Sequence, residues 1–116
     1  MPAPFDKLRN RKELSKGGGA MITFEYRFDI LPGKAAGYEK YAKGAGKNIW
    51  SKYKGVKAVR KYKSMLGGSS PQRIVQVDLD SLATLEKILS DPGFRKAKEK
   101  FHGMVTNVGD SLLVSV

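Results

Sequence analysis

From Ile22 to Ile30 apolar and polar residues alternate without a break. Ile22, Phe24, Tyr26, Phe28 and Ile30 fall on one side, and Thr23, Glu25, Arg27 and Asp29 on the other. A period of two is that of a half-buried strand. Leu31-Pro32-Gly33 stops it, and the spacing then changes. Tyr38, Tyr41, Ala42, Ala45, Ile49 and Tyr53 step by three and four, which predicts a helix closed by Gly55, with Lys40, Lys43, Lys47 and Lys54 on its opposite face. Gly37, Gly44 and Gly46 each cost about 1 kcal/mol relative to alanine inside a helix. This helix must therefore rely on tertiary packing, and close approach to a sheet is a reason for glycine there.

Val56 to Leu66 reads as a second strand, Gly67 to Pro71 as a hairpin loop, and Arg73 to Leu79 as a third strand. Asp80 or Ser81 caps a helix carrying Leu82, Leu85, Ile88 and Leu89. Asp91-Pro92 then restarts the helix with Phe94, Ala97, Phe101 and Met104 inward. Asp110 to Val116 closes the pattern as a strand, with Leu112, Val114 and Val116 on one side and Ser111, Leu113 and Ser115 on the other. Two βαβ-like halves of this kind predict an α+β, βαββαβ domain: a four-stranded antiparallel sheet with two helices on one face. Ile74 and Leu113 would lie bare on the other face, beside Thr23, Glu25, Arg27, Gln76 and Asp78. The same face of a second copy covers them best, so a homodimer is expected.

Residues 1–20 differ from the rest. Pro2, Pro4 and a Gly17-Gly18-Gly19 run enclose a basic segment, which reads as an arm and a joint ahead of a domain over residues 21–116. The alternative is a cloning scar or an over-extended start, because the GGN codons of a glycine run just ahead of Met21 could be a purine-rich ribosome-binding sequence translated in frame. At 116 residues one domain is expected, and a domain of this size gains from sharing a core. The chain has no cysteine, which excludes disulfides, thiolate metal sites and a cysteine nucleophile. No stretch approaches a membrane span and no apolar leader opens the chain, so a cytoplasmic protein without a membrane partner is expected.

The net charge is +11, and its placement matters more than its size. No acidic residue stands between Glu39 and Asp78, whereas Lys40, Lys43, Lys47, Lys52, Lys54, Lys57, Arg60, Lys61, Lys63 and Arg73 all do. One side of the fold should be strongly positive. Such a field serves solubility, and it also draws nucleic acid, acidic lipid or anionic substrates.

Phe24-Glu25-Tyr26-Arg27, followed by Pro32-Gly33-Lys34 and then Tyr38 and Tyr41, resembles the opening of NIPSNAP-like members of the dimeric α+β-barrel superfamily, whose domains have the ferredoxin-like fold. The strand Ile74 to Leu79, the Ser-Leu-rich helix after it and Asp91-Pro92-Gly93-Phe94 resemble the same superfamily, including its antibiotic-biosynthesis-monooxygenase-like proteins. The resemblance covers Met21 to Val116. It implies a dimeric α+β barrel and admits cofactor-free oxygenases, isomerases, cyclases and haem-degrading enzymes. Haem-degrading relatives combine an asparagine on the first strand, a tryptophan by the end of the third and a histidine on the second helix. Here the first strand has no asparagine, the third ends in Asp78-Leu79-Asp80, and the single tryptophan, Trp50, falls in the first predicted helix. The resemblance therefore stops short of haem chemistry.

Three groups of residues are candidates for chemistry. Glu25, Arg27, Gln76 and Asp78 should meet on neighbouring strands, either as acid-base groups or as an ion-paired network that fixes how two sheets dock. Tyr38, Tyr41, Trp50 and Tyr53 are either core packing or the wall of a ligand pocket between helix and sheet. His102, the only histidine, stands at the edge of an apolar helix face without the partners that a metal site or a triad requires. No metal, cofactor or nucleotide motif is present. Two function classes follow: a binder or transformer of a small hydrophobic or anionic ligand, and a basic nucleic-acid-binding module or non-catalytic structural dimer. Against nucleic acid, the third strand RIVQVDLD carries no aromatic residue on which a base could stack.

Overall fold

The computed structural model describes residues 21–67 and 69–116, so the arm expected over residues 1–20 lies outside the described residues. The chain runs β1 (Ile22–Ile30), α1 (Ala35–Lys43), β2 (Val56–Lys63), β3 (Arg73–Leu79), α2 (Leu82–Ser90), α3 (Pro92–His102) and β4 (Val105–Val114). Its strands form one sheet in the order β2-β3-β1-β4, each pair antiparallel. This is the ferredoxin-like arrangement, with the second helical layer in two pieces.

The alternation in β1 sets the layers. Phe24 lies opposite Val77 of β3 and Leu112 of β4, while Glu25 lies opposite Gln76 and Ser111. Apolar rows therefore stack on one face and polar rows on the other. Ile22, Phe28, Val77, Leu79 and Ile88 are the most deeply buried side chains. Tyr38 of α1 and Phe101 of α3 both pack on Phe28, at ring-centre distances of 5.6 and 4.8 Å, which places the helices over the apolar face. Ser81 caps α2 by accepting the Thr84 N–H at 3.2 Å. Asp91 caps α3 by accepting the Phe94 N–H at 3.1 Å, with Pro92 opening the helix.

Four expectations are corrected. The first helix ends at Lys43 instead of continuing to Gly55, and residues 44–54 form successive turns. The Gly44 N–H reaches back to the carbonyls of Lys40 and Tyr41, and the Gly46 N–H takes the Tyr41 carbonyl at 2.8 Å. Tightened in this way, the backbone leaves the helical path, and Ala45 turns outward while Trp50 still buries. Gly46 is pressed against the Tyr41 ring and not against the sheet: a Cβ there would stand 2.5 Å from Tyr41 Cε2. Second, β2 stops at Lys63, short of Leu66. Third, β4 begins at Val105, ahead of Asp110. Its early half was hidden because the register shifts between Arg27 and Asp29 of β1, and Asn107 adopts φ +54°, a left-handed conformation that asparagine tolerates better than most residues. Leu89, expected inward, is exposed.

Asp29 ties the irregular end of the sheet together. Its carboxylate accepts the Ser70 hydroxyl at 2.7 Å, the Gln72 N–H at 2.8 Å and the Asn107 side-chain amide at 2.9 Å. Gln72 in turn accepts the Ile30 N–H at 2.8 Å. One carboxylate thus joins β1, the β2–β3 turn and β4.

Two outcomes are expected. Gly46→Ala should destabilise the fold by about 1–3 kcal/mol in urea denaturation, because the buried Tyr41 ring has to move; an unchanged midpoint would show that the ring yields freely. The bonds from Asn107, Ser70 and the Gln72 amide hold the Asp29 carboxyl below the usual carboxylate range. Its folded pKa lies below an unfolded value of about 3.9, so its contribution is complete above that pH and is lost as pH falls through the folded value. Asp29→Asn should melt below the wild type at neutral pH, and the gap should close on acidification. A gap independent of pH would exclude this origin.

Candidate functional site

Between the helices and the sheet lies a cleft of about 280 Å³. Phe24 and Tyr26 of β1 and Val75 of β3 form its floor. Tyr38 and Tyr41 of α1, Trp50 of the following turns, Leu85 of α2 and Phe94 and Phe101 of α3 form its walls. Seven Phe, Tyr and Trp rings line it because each element brings its apolar stripe to the same place. Phe24 and Tyr26 sit 5.7 and 6.2 Å from Trp50 between ring centres, Tyr26 stands edge-on to Phe101, and Trp50 stands edge-on to Phe94 at 4.7 Å. The charged groups of Lys61, Glu86, Lys98 and Asp110 and the His102 imidazole appear where the lining reaches solvent.

Tyr26 is the polar point of the floor. Its hydroxyl oxygen accepts the Trp50 indole N–H at 3.1 Å, and no acceptor for its own O–H is found among the described residues. Burial raises its pKa far above the ordinary tyrosine value, so it stays protonated and offers a hydrogen-bond donor to the cleft. Burial likewise pushes Tyr41 up to about 12.

Of the aromatic candidates, Tyr38, Tyr41 and Trp50 line the cleft and Tyr53 does not. Tyr53 donates to Asp91 at 2.6 Å and packs against Phe94. It thereby fastens the turns after α1 to the cap of α3, and burial, with the Asp91 carboxylate beside it, raises its hydroxyl to about 12. His102 is exposed at the rim, its ring edge-on to Phe101.

The polar candidates meet on the opposite face of the sheet. Glu25 receives Arg27 at 2.6 Å and the Gln76 amide at 2.9 Å, and Arg27 also donates to Ser111 at 3.2 Å. Asp78 pairs with Arg60 through two bonds of 2.7 Å, and not with Arg27; Thr23 donates to it at 2.8 Å. Arg60 also donates to Gln76 at 3.1 Å, so the bonds run unbroken across all four strands. The Gln76 amide and the Arg27 guanidinium lower the Glu25 pKa; the Arg60 guanidinium and the Thr23 hydroxyl lower that of Asp78. Both carboxylates are held ionised by fixed donors, which suits a network that sets strand positions. Sequence reasoning missed Arg60 as Asp78's partner. No local signal in the sequence gives this pairing, because Arg60 stands opposite Gln76 only in the observed register of β2 against β3.

No protein-family model and no curated protein matches the sequence. Solved structures match it in fold. SnoaB, a cofactor-independent oxygenase from Streptomyces nogalater, superposes with a TM-score of 0.69 at 14% identity, covering 84% of this chain and 94% of that one. A dimeric ferredoxin-like protein of unknown function from Thermobifida fusca gives 0.70 at 15% identity, covering 84% and 93%. A Dabb family protein with a ferredoxin-like fold from Mesorhizobium loti gives 0.69 at 12% identity, covering 84% and 98%. The resemblance read from the sequence is thus met at the level of the fold.

The two arginines of the network should differ in weight. In Arg60→Ala the buried Asp78 carboxylate loses two guanidinium bonds and keeps the Thr23 hydroxyl, whereas in Arg27→Ala Glu25 loses one guanidinium bond and keeps the Gln76 amide. Arg60→Ala should lower the melting temperature more than Arg27→Ala. The reverse order would place the weight of the network on β4 instead of β2.

Proposed function

We propose that this chain binds a small, flat, largely apolar molecule carrying a polar or anionic end in the cleft between its helices and its sheet, as a homodimer whose copies meet through the polar sheet face. The observation that carries this reading is the aromatic cleft itself. Protein interiors of this size are normally filled, and about 280 Å³ of space sits at the lower end of the range for ligand pockets, roughly 300–1,000 Å³. That volume suits a molecule of one to three rings. Rings supply the walls, the Tyr26 hydroxyl supplies one donor at the floor, and Lys61 and Lys98 supply positive charge where the cleft opens. A ligand oxygen accepts from Tyr26 while an acidic group stays at the rim.

The dimer follows from the outer face. Leu113 is 44% exposed and Tyr62 49%, and Ile74 lies opposite Tyr62, so apolar side chains flank the ion-paired network on a face that no second layer covers among the described residues. The Thermobifida protein of the same fold is described as dimeric. Cofactor-free oxygenation, the description given to SnoaB, is the reaction class most compatible with such a site. The ligand is held by rings and one donor, and its own electron-rich ring supplies the electrons, with dioxygen as the oxidant: one oxygen atom enters the ligand and the other leaves as water.

Anilinonaphthalene sulfonate, an aromatic anion, tests the cleft on the protein that sediments as a dimer at low micromolar concentration. It should quench Trp50, the chain's single tryptophan, and saturate at one molecule per chain. Ala42→Phe, which fills part of the cleft, should weaken binding by at least about tenfold, or 1.4 kcal/mol, without loss of helical circular dichroism. Unaltered Trp50 emission, or equal binding by the filled variant, would remove the cleft as the site.

A further inference from the structure

The turn between β2 and β3 carries Met65 and Leu66, which are 98% and 74% exposed. They are presented by a bonded scaffold. The Ser64 N–H donates to the Gln72 carbonyl at 2.9 Å, the Leu66 N–H to the Ser64 hydroxyl at 3.2 Å, and the Ser69 N–H to the Leu66 carbonyl at 3.1 Å, with Ser70 tied to Asp29 beyond. Two large apolar side chains held in water by an ordered turn mark a contact surface. The strand leading to them is basic: Val56 to Leu66 holds Lys57, Arg60, Lys61 and Lys63 and no acid. Arg60 is committed to Asp78, and none of the three lysines pairs with a carboxylate among the described residues.

We propose that this hairpin docks on the surface of an acidic membrane, with Met65 and Leu66 entering the interfacial region and the β2 lysines meeting the headgroups. Lysine on an edge strand also guards against strand pairing, but that role gives no reason for Met65 and Leu66 beyond the strand's end. Nucleic acid satisfies the lysines and leaves the apolar tip in water. An anionic lipid interface satisfies both. The contact is peripheral: no helix among the described residues is long and apolar enough to cross a membrane.

The test is sedimentation of the full chain with vesicles of phosphatidylcholine alone and of phosphatidylcholine with about one-third phosphatidylserine. Wild type should bind the acidic vesicles and not the neutral ones, and high salt should release it. Met65→Ser with Leu66→Ser should lose at least about tenfold in partitioning, since each apolar side chain is worth more than that when fully buried. Lys63→Glu should lose binding separately. The double variant must keep the wild-type melting temperature and sedimentation mass. Failure of wild type to bind, or equal binding by the double variant, would overturn the proposal. A change of mass in that variant would also overturn it by placing the tip between copies of the chain, and so would duplex DNA binding that depends on Met65 and Leu66.

Discussion

Everything in this molecule is arranged around a strand that has no free edge. β1 bonds to β3 on one side and β4 on the other, so its side chains can leave the sheet only upward or downward, and its strict alternation decides what each direction receives. Upward go Phe24, Tyr26 and Phe28, a rail of rings spaced 5.8 and 5.9 Å apart. Downward go Thr23, Glu25, Arg27 and Asp29, each in a side-chain hydrogen bond that leaves β1 or runs along it. A slip of one residue would exchange the two sets and place carboxylates under the helices.

The legible part of the chain was the part where a period persists. β1, β3 and the joint at Asp91-Pro92 were read from spacing and capping residues alone, because nothing in the tertiary structure overrides them. The first helix was overextended because Ile49 and Tyr53 continue its spacing after its backbone has stopped. The turns that follow still deliver Trp50 to the core, so the hydrophobic pattern survives a change of backbone that only Gly44 and Gly46 announce. The start of β4 was missed for the opposite reason: Asn107 and the register shift break the period while the strand continues.

The candidate sites divide along the same line. Pattern alone put Glu25, Gln76 and Asp78 on one face and aromatic residues on the other. Which cation meets which carboxylate depends on lateral register between β2 and β3, and a single chain carries no local signal for that. Arg60 lies one residue pair from Asp78 only after the shift between Val56 and Ala58. A pairing of Arg27 with Asp78 was therefore open from sequence, and geometry closes it. Tyr53 shows the same limit, since helical spacing equates it with Tyr41 while its hydroxyl is drawn out of the cleft to Asp91.

The two faces also differ in what they leave available for chemistry. On the polar face every carboxylate is met by fixed donors and kept ionised, which removes the spare capacity that proton transfer needs. In the cleft the ionisable groups are sparse and the inner ones are tyrosines held protonated by burial. The Tyr26 oxygen accepts the Trp50 N–H, which leaves its own hydrogen to donate to the ligand proposed above. Under the function proposed above, such an interior would orient the ligand and stabilise charge developing on its oxygen, while any base would come from the exposed rim or from the ligand itself. The division of labour follows from β1, which sends its hydroxyl-bearing ring into the cleft and both of its carboxylates away from it.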